Sequence, residues 1–507
     1  MGDHEQSLEE KFISFVETPQ EISQLMVKLI SHPPKSTILD TGCGKGIFLN
    51  SLIEAEYTNL EGIEINSQMC DSLKASYPNV VLHNENFLKW NVSNKYDVII
   101  GNPPYSHYNS LPADIQEDVF DLTNTAESDI YYAFLIKAIE VLKENGELIY
   151  IVPYQFFYNT HAEVVRRKIL ESGFIDTLID LGEARIFRGE LPETIIIKFI
   201  KTENRTVQKI KVLRIKKKTA KPEEILDAAL KALVQGKEND LFHCYKKNNF
   251  TSSEEIWSSH PRISLAKYVR LGDVAFIGVG LVTGFDEAFR IKNDEINAFN
   301  EKEKDLIINL VKAVNCKGYW VEGFERYILI DKRIKDEAQL SEDYPNMYER
   351  IIKFKGLMED RYLPGHKKWF HWQALRNKVN IEKYFELPKI FVPGLDRSLV
   401  NRFSISNEDI YPSGDVLIII PLKIDPLFLL GYLNSDFFRE YYLSHGAKKG
   451  QRIAFMQRIM ANIKIPVFND ELIKEIKNIT KKILDSRIIS EREKIDKIIT
   501  NTLGNFK

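Results

Sequence analysis

Cysteine is scarce in this sequence, and its placement gives no sign of a metal site or a disulfide framework. The 507 residues contain four cysteines, Cys43, Cys70, Cys244 and Cys316, and no two of them form a CxxC pair. A zinc site or a set of disulfides would be expected to show closer spacings. We therefore expect a reduced, cytoplasmic protein that holds no metal.

Long hydrophobic runs are also missing. The most apolar window, residues 416–433, is interrupted by Lys423, Asp425 and two prolines, which a membrane-spanning helix would not carry. Residues 1–6 lack the basic and then apolar pattern of a signal peptide. We expect neither a membrane segment nor a membrane partner.

The net charge is small for the whole chain but differs between its two parts. The chain carries −3 at pH 7, which divides into −10 for residues 1–245 and +7 for residues 246–507. The length and the apolar fraction of 44% are ordinary for a soluble protein of two or three domains. We predict a first domain of residues 1–245 and a second domain of residues 246–507, the latter with a polyanionic partner.

The common phosphate-binding glycine patterns are absent too. After a predicted strand at residues 37–40, the glycines Gly42, Gly44 and Gly46 match neither GxGxxG nor GxxxxGK[ST], which argues against NAD and ATP. The predicted strand that ends at Asp40, this loop and a predicted helix after it still follow the order with which a doubly wound sheet begins. Such a loop brings backbone close to an uncharged or zwitterionic ligand such as S-adenosylmethionine. The alternative is a tight packing turn.

Polar side chains follow the next two predicted strands. Glu64 ends a strand about twenty residues past the glycine loop, where a carboxylate can accept both ribose hydroxyls. Asn86 and Phe87 follow the strand at residues 80–82 and offer a polar contact and an aromatic wall to an adenine ring. Since loops after parallel strands meet at one sheet edge, these residues are predicted to gather there.

An Asn-Pro-Pro-Tyr stretch follows the apolar strand at residues 96–100. Its two prolines remove two backbone donors where the strand leaves the sheet, which is unusual for structure alone. The side-chain oxygen of Asn102 and the carbonyl of Pro103 can point at one spot, and Tyr105 offers a flat face beside it. Two acceptors and an aromatic ring suit a planar group that bears an NH2. The alternative is a rigid strand exit with a stacking tyrosine.

Together these stretches resemble the gamma-class DNA adenine-N6 methyltransferases, the group typified by the TaqI modification enzyme. The resemblance covers nearly all of residues 12–200, with the cofactor motif first, the Asn-Pro-Pro-Tyr motif second and a large recognition region last. It rests on these segments: 17–19, 38–49, 62–65, 86–88, 102–105, 129–135, 146–153 and 181–187.

The resemblance implies a fold class and a set of partners. The expected fold is α/β, a doubly wound and mostly parallel Rossmann-like methyltransferase sheet, followed by a mixed α+β DNA target-recognition domain. The implied reaction moves a methyl group from S-adenosylmethionine to N6 of a flipped-out adenine in double-stranded DNA. The implied functional partner is a cognate restriction endonuclease, and we expect a monomer.

The resemblance also implies roles for cofactor residues. Thr18, whose position before Pro19 predicts a helix N-cap, matches the motif that contacts the methionine end, together with the loop from Asp40 through Gly42 and Gly44. The remaining matches are Glu64 at the ribose, Ile65 and Phe87 beside the adenine, and Asn86, which stands where the family usually has Asp.

The catalytic residues implied by the resemblance are Asn102, Pro103, Pro104, Tyr105 and Phe187. The two acceptors localise the lone pair of the adenine nitrogen, so no catalytic base is required. Phe187 matches the aromatic that sandwiches the target base with Tyr105. The sequence has no Pro-Cys motif of the kind that a cytosine-C5 enzyme needs, and Cys43 is interpreted as packing.

Two acid-free basic windows predict DNA contacts in the second half. Residues 361–378 interleave cations with Trp369, Phe370 and Trp372, and residues 444–464 form the other window. Phosphate contacts and groove insertion fit such windows, and a half-buried helix with cationic flanks is the alternative. The predicted DNA-binding residues are Lys367, Lys368, Lys448, Lys449 and Arg452.

Two other functions share parts of this sequence pattern. One alternative is an Asn-Pro-Pro-Tyr methyltransferase that acts on an RNA adenine or a protein glutamine, although such enzymes usually lack so long a C-terminal region. A DNA specificity protein with a decayed enzyme domain is disfavoured by the intact glycine loop, Glu64 and Asn-Pro-Pro-Tyr motif.

Overall fold

The computed structural model describes residues 17–91, 95–182, 184, 186–187, 193–204, 208–217, 219–261, 263, 265–449 and 452–503, without the side chains of residues 447–449. The chain divides into two units, Met1–Arg262 and Ile263–Lys507.

The first unit alternates strands and helices. Its helices are α1 Gln20–Val27, α2 Ile47–Glu54, α3 Ser67–Ser76, α4 Ala113–Thr123, α5 Ile130–Val141, α6 Glu163–Ser172 and α7 Pro222–Gln235. Its strands are β1 Thr37–Asp40, β2 Asn59–Ile63, β3 Val81–His83, β4 Tyr96–Gly101, β5 Leu142–Pro153, β6 Gly173–Asp180, β7 Thr194–Lys201, β8 Lys209–Ile215 and β9 Phe242–Asn248.

These strands form one nine-stranded sheet in the order β3-β2-β1-β4-β5-β7-β6-β8-β9. The five strands β1 to β5 are mutually parallel where they pair. Strand β7 is antiparallel to β5 and β6, and β9 is antiparallel to β8. The predicted doubly wound, mostly parallel sheet is confirmed.

Both faces of the sheet are covered, which explains why its central strands are apolar runs rather than alternating patterns. Along β4, Ile99 packs into a core cluster shared with α4, α5 and α6. Its neighbours Val98 and Ile100 pack into a second cluster shared with α1, α2 and α7. The two-residue period of the strand therefore sends alternate side chains into opposite layers.

The second unit is a mixed α+β fold of smaller sheets. Its strands are β10 Tyr268–Arg270, β11 Ala275–Val279, β12 Arg290–Ile291, β13 Ile307–Val311, β14 Tyr319–Trp320, β15 Glu325–Ile328, β16 Lys389–Pro393, β17 Leu395–Asp396, β18 Ser404–Ser406, β19 Tyr411–Pro412, β20 Val416–Pro421, β21 Ala447–Lys449, β22 Arg452–Ala454 and β23 Lys464–Pro466. They pair as β11-β20-β16-β18-β14, β12-β15-β13-β19, β17-β22-β21 and β10-β23.

The helices of the second unit are mostly short until its C-terminal part. They are α8 Leu271–Val274, α9 Asp286–Phe289, α10 Glu301–Lys304, α11 Glu337–Asp343, α12 Pro345–Ile351, α13 Lys355–Glu359, α14 Lys378–Glu382, α15 Pro426–Leu433, α16 Asp436–His445, α17 Gln457–Asn462, α18 Asp470–Ser486 and α19 Arg492–Leu503. No helix in the described part of the chain is both long and apolar enough to cross a membrane.

The division between the units lies later than the boundary predicted at residues 245 and 246, which falls inside β9. The segment after β9 packs on the first unit, where Trp257 stacks on Phe250 with ring centroids 4.2 Å apart. Lys247, a basic residue of β9, donates through Nζ to the carbonyls of Ser258 and His260 at 2.5 and 3.0 Å. The change of charge sign therefore does not mark the change of fold, because these lysine contacts hold the segment to the first unit.

Candidate functional site

The candidate functional residues of the first unit follow adjacent parallel strands. Asp40 is the last residue of β1, Glu64 directly follows β2, and Asn102 directly follows β4. Strand β1 lies between the other two, with Asp40 opposite Gly62 of β2 and Ile100 of β4. The three side chains therefore share one edge of the sheet, where doubly wound folds bind their ligands.

The glycine loop after β1 has two residues in the left-handed region, Gly44 at φ 50° and Gly46 at φ 82°. A Cβ on Gly46 would lie 2.6 Å from Leu73 Cδ2 and 2.9 Å from a ring carbon of Tyr77, so this glycine is needed for packing. A Cβ on Gly42 would meet no described atom within 4 Å. The loop is thus packed at its end and has open space over Gly42, where a ligand fits.

Glu64 is held by backbone donors on both carboxylate oxygens. The N–H of Gly44 donates to Oε2 at 2.8 Å, and the N–H of Asn66 donates to Oε1 at 2.9 Å. Asn84 fixes the adjoining backbone by donating to the carbonyls of Glu64 and Ile65 at 2.8 and 3.0 Å. Because each carboxylate oxygen accepts more than one hydrogen bond, Glu64 keeps acceptor sites for two ligand hydroxyls. Ile65 is exposed beside it.

Asp40 is fully buried, and within the described part of the chain neither of its carboxylate oxygens has a hydrogen-bond partner of normal geometry. Burial, and next the charge of Glu64, raise the pKa of Asp40 to about 8 against a smaller lowering by the Gly42 N–H. A buried carboxyl group with so few donors is costly unless a ligand supplies more. The neighbouring Cys43 is buried against Gly62, which agrees with a packing role.

Asn86 is oriented by two contacts. Its Oδ1 accepts from the N–H of Leu88 at 3.0 Å, and its Nδ2 donates to Asp118 Oδ2 on α4 at 2.9 Å. Burial raises the pKa of Asp118, and the neighbouring Lys89 opposes that shift. Phe87 is buried, with its ring 5.3 Å from that of Phe134. Sequence reasoning missed Asp118, because no local pattern on α4 distinguishes it from its acidic neighbours.

Asn102 is tied to both Thr18 and Tyr105. Its Nδ2 donates to Thr18 Oγ1 at 3.1 Å, and the Tyr105 hydroxyl lies 2.5 Å from Asn102 Oδ1 and 3.1 Å from the carbonyl of Ile151. The predicted N-cap role of Thr18 is wrong, since Pro19 is the N-cap of α1 and the Thr18 hydroxyl contacts Asn102 instead. The two contacts fix the amide so that its oxygen remains the accepting end.

The other residues predicted for the target base lie in different surroundings. Pro103 is buried and Pro104 is half-buried. Tyr105 packs its ring against Tyr131, with centroids 6.1 Å apart and nearly perpendicular planes. Phe187 is buried in the core cluster shared with α1 and α2. Among the described residues no direct ring contact joins Phe187 to Tyr105, and the sandwich of these two rings stays a prediction.

The predicted DNA-binding lysines and arginine of the second unit differ in exposure. Lys368 is exposed, whereas Lys367 is half-buried and donates to the carbonyl of Gln373, and burial lowers its pKa. Arg452 is half-buried in β22. Lys448 and Lys449 lie in β21, and their side chains are outside the described residues.

Phe370 and Trp372 of the first basic window are core residues, so their predicted insertion into a DNA groove is wrong, and Trp369 is half-buried. Phe370 and Trp372 are each 1% exposed. Trp369 donates through Nε1 to Glu337 at 3.0 Å. The interleaved pattern arises because part of this segment packs inward, while Tyr362 of the same window is 78% exposed.

Comparisons with known proteins agree with this geometry. A family model described as Eco57I restriction-modification methylase matches residues 23–187. The Type II methyltransferase M.MjaIV of Methanocaldococcus jannaschii is 48% identical over 262 residues, 50% of this chain and 88% of that one. The Type II methyltransferase M.HindII of Haemophilus influenzae is 29% identical over 485 residues, 88% of each chain.

A solved structure shares the fold of nearly the whole chain. The Type IIL restriction-modification enzyme MmeI, in complex with DNA, aligns over 95% of this chain and 72% of its own with a TM-score of 0.62 and 13% identity.

The fold and the residues at this edge of the sheet together define an S-adenosylmethionine-dependent methyltransferase. Gly42, Asp40 and Glu64 fit that cofactor, because Gly42 leaves open space, the Asp40 carboxyl has no described hydrogen-bond partner of normal geometry, and Glu64 can accept further hydrogen bonds. Within this class, the 48% identity to M.MjaIV over 88% of its length shows the family, and the family model that matches residues 23–187 agrees with it. The chain belongs to the Type II DNA methyltransferases of restriction-modification systems.

Proposed function

We propose that this protein transfers a methyl group from S-adenosylmethionine to N6 of an adenine at a specific site in double-stranded DNA. The observation that carries the proposal is the orientation of Asn102, whose amide nitrogen is engaged by Thr18. Its oxygen, which also accepts from the Tyr105 hydroxyl, is thereby oriented to accept a further hydrogen from a planar amine. An exocyclic amino group on a nucleobase has the matching shape and donors.

The residues around Asn102 supply positioning rather than proton transfer. The exocyclic nitrogen of adenine is a poor nucleophile because its lone pair is delocalised into the ring. When Asn102 Oδ1 and the Pro103 carbonyl accept its two hydrogens, the lone pair localises on the nitrogen and can attack in line. Burial raises the pKa of Tyr105, so its hydroxyl stays protonated and can donate to Asn102.

The cofactor residues hold and orient the methyl donor. S-adenosylmethionine supplies a methyl group on a positively charged sulfur. Glu64 accepts the ribose hydroxyls, and Ile65 and Phe87 contact the adenine ring. Asn86 accepts from the adenine amine, with Asp118 holding its amide in place. Thr18 and the loop from Asp40 through Gly42 and Gly44 surround the methionine end.

The target adenine has to leave the duplex, because N6 is inaccessible inside the base stack. We assign the rings of Tyr105 and Phe187 to the two faces of the flipped base, with Pro103 and Pro104 holding the turn that presents Tyr105. Aromatic contact with a base is worth about 1–3 kcal/mol per ring, which offsets part of the unstacking cost.

Sequence recognition is assigned to the second unit. This unit, residues 263–507, carries a net charge of +6, which favours a nucleic acid partner. Lys368, Arg452 and the two lysines of β21 contact phosphates in this proposal, and Lys367 does so less because its ammonium group already donates to Gln373. The protein then acts as a cytoplasmic monomer that protects DNA from a cognate restriction endonuclease.

The nature of the acceptor is tested directly by analysing the product. Purified protein and S-adenosylmethionine labelled in the methyl group are incubated with duplex DNA, RNA or a cell protein extract, and the products are digested and identified by mass spectrometry. We expect N6-methyladenine from duplex DNA. Label in RNA adenine or protein glutamine would favour those acceptors, and no label at all would favour a non-catalytic specificity protein.

A further inference from the structure

Asp129 is a buried acid of the first unit to which the proposed mechanism gives no role. It stands directly before α5 as its N-cap, a position where Asp usually accepts from the backbone N–H groups of the first turn. In the described part of the chain its side chain accepts no such hydrogen bond. Burial raises the pKa of Asp129, and the charge of His107 opposes that shift. Because burying an acid is costly and the local capping role is missing, we expect this carboxylate to serve a partner outside the helix.

The partner of Asp129 is the segment that directly follows Tyr105. His107 Nδ1 lies 2.5 Å from Asp129 Oδ1, and the two residues face each other in an antiparallel bridge. The angle of this contact is outside that of a normal hydrogen bond, so its attraction is chiefly one of charge. Two backbone hydrogen bonds of 3.0 Å flank the contact and join Ser106 and Tyr108 to the residues on either side of Asp129. The chain that leaves Tyr105 is therefore tied to the start of α5.

Tyr105 itself is fixed at two further points. Its ring packs edge-on against Tyr131, which lies in the first turn of α5 two residues after Asp129. Its hydroxyl lies 3.1 Å from the carbonyl of Ile151 on β5. The second carboxylate oxygen of Asp129 accepts from Gln155 Nε2 at 3.5 Å, in the turn that follows β5. The start of α5 and the end of β5 thus hold the ring, the hydroxyl and the following backbone of Tyr105 together.

We propose that Asp129 is a positioning residue for the target base, because it holds the segment after Tyr105 and thereby sets the angle of the Tyr105 ring. A ring that stacks on a flipped base has to lie parallel to it, so a tilted ring tilts the base. A tilted base moves the attacking nitrogen off the line through the methyl group, and such small misplacements slow the reaction strongly. This inference rests on the proposed methylation of adenine N6 and adds to it a buried residue that acts through Tyr105.

The test compares Asp129→Asn and His107→Leu with His32→Leu in the full chain. Asparagine keeps the shape of Asp129 and removes its charge, while the His107 side chain is 74% exposed, so its replacement leaves the core intact. His32 contacts the carbonyl of Asn145 near the start of β5, away from the candidate site, and is the control. Methylation is measured on plasmid DNA that carries no earlier methylation. We expect Asp129→Asn and His107→Leu each to lower kcat about tenfold. The KM for DNA should stay nearly unchanged, since phosphate contacts supply most of that affinity, and His32→Leu should behave as the unaltered protein does.

A double-mutant cycle shows whether the effect passes through Tyr105. Tyr105→Leu removes the ring, so adding Asp129→Asn to that variant should slow methylation little further. Additive losses, a normal kcat for both Asp129→Asn and His107→Leu, or a loss of S-adenosylmethionine affinity in these two variants would contradict the positioning role. If the unaltered protein methylates no adenine in the plasmid, the proposed function fails instead, so the two failures are distinguishable.

Discussion

The hydroxyl of Thr18 illustrates how one side chain can serve a site far away in sequence. It accepts a hydrogen bond from Asn102 Nδ2 at 3.1 Å, which orients the amide of Asn102 so that its oxygen is the accepting end. A positioning role of this kind predicts an effect on the rate of the chemical step rather than on folding, since the residue acts on the orientation of another side chain.

Substitutions of Asn102 and Thr18 should therefore lower the methylation rate to different extents. Asn102→Ala should lower the methylation rate by roughly two to three orders of magnitude, the loss typical of one preorganised polar contact, and leave cofactor binding nearly intact. Thr18→Val removes the acceptor while keeping the shape, and should lower the rate less. Thr18→Ser keeps the hydroxyl and is the control. Single-turnover rates and calorimetric affinities measure both effects, and equal rates for Thr18→Val and Thr18→Ser would remove Thr18 from this role.

Asp40, a proposed cofactor residue, should make the binding of S-adenosylmethionine dependent on pH. Its pKa is raised from 3.8 to about 8, chiefly by burial, so the free protein holds it mostly as the neutral acid at pH 7. The positive charges of S-adenosylmethionine favour the carboxylate and lower that pKa on binding. We expect up to one proton to be released and the affinity to rise with pH until about 8. Calorimetry in buffers of different ionisation enthalpy counts the protons.

The raised pKa of Asp40 affects the stability of the cofactor-free protein in the opposite direction, because this stability falls as the pH rises. The unfolded chain loses this proton near pH 3.8, while the folded state keeps it until about 8, so Asp40 makes folding less favourable as pH rises through that window. Asp40→Asn should abolish both dependences. If that variant releases the same proton on binding, another group is responsible.

At the scale of elements, the segment that follows β9 belongs to the first unit, whereas local sequence signals assigned it to the second domain. Trp257 is fully buried, stacks on Phe250, and donates through Nε1 to the carbonyl of Ser252 at 2.8 Å. Arg166 of α6 donates to the carbonyl of Ser253 at 2.8 Å. The segment thus covers apolar surface of the first unit and contributes to its stability.

Trp257→Ala should destabilise the first unit by roughly 3–5 kcal/mol, the usual range for truncating a buried aromatic. Hydrogen exchange followed by mass spectrometry should show faster exchange in β8 and β9. Tyr362→Ala removes a large exposed aromatic and should change stability by less than about 0.5 kcal/mol, which makes it the control. Unchanged protection of β9 in the Trp257 variant would show that the segment only lies on the surface.

These elements also show what the sequence could and could not predict. The parallel strands and the glycine loop were predictable, because apolar runs and glycine turns act locally. The partner of Thr18 was not, since the N-cap pattern is local while Asn102 lies 84 residues away. The burial of Phe370 and Trp372 was missed for a similar reason. Cations beside aromatics look alike in sequence whether the rings face water or a core.

At the scale of the whole molecule, the proposed division of labour predicts separable activities. A chain that ends at residue 262 keeps the nine-stranded sheet, the segment around Trp257 and every proposed cofactor residue. It should bind S-adenosylmethionine with near-normal affinity and show no preference among DNA sequences. A chain that ends at residue 245 divides β9 and should be less stable. Undiminished selectivity of the 1–262 chain would place recognition in the first unit.

The position of the division after Arg262 also bears on how such proteins change over generations. The aromatic and lysine contacts that precede it stay with the sheet, so a gene exchange that joins at residue 263 would pass on the second unit as one piece. Under the proposed roles, a descendant would acquire a new recognition sequence in a single recombination event and inherit the methyl-transfer chemistry unaltered. An exchange at residue 245 would instead divide β9 and remove the residues that cover it.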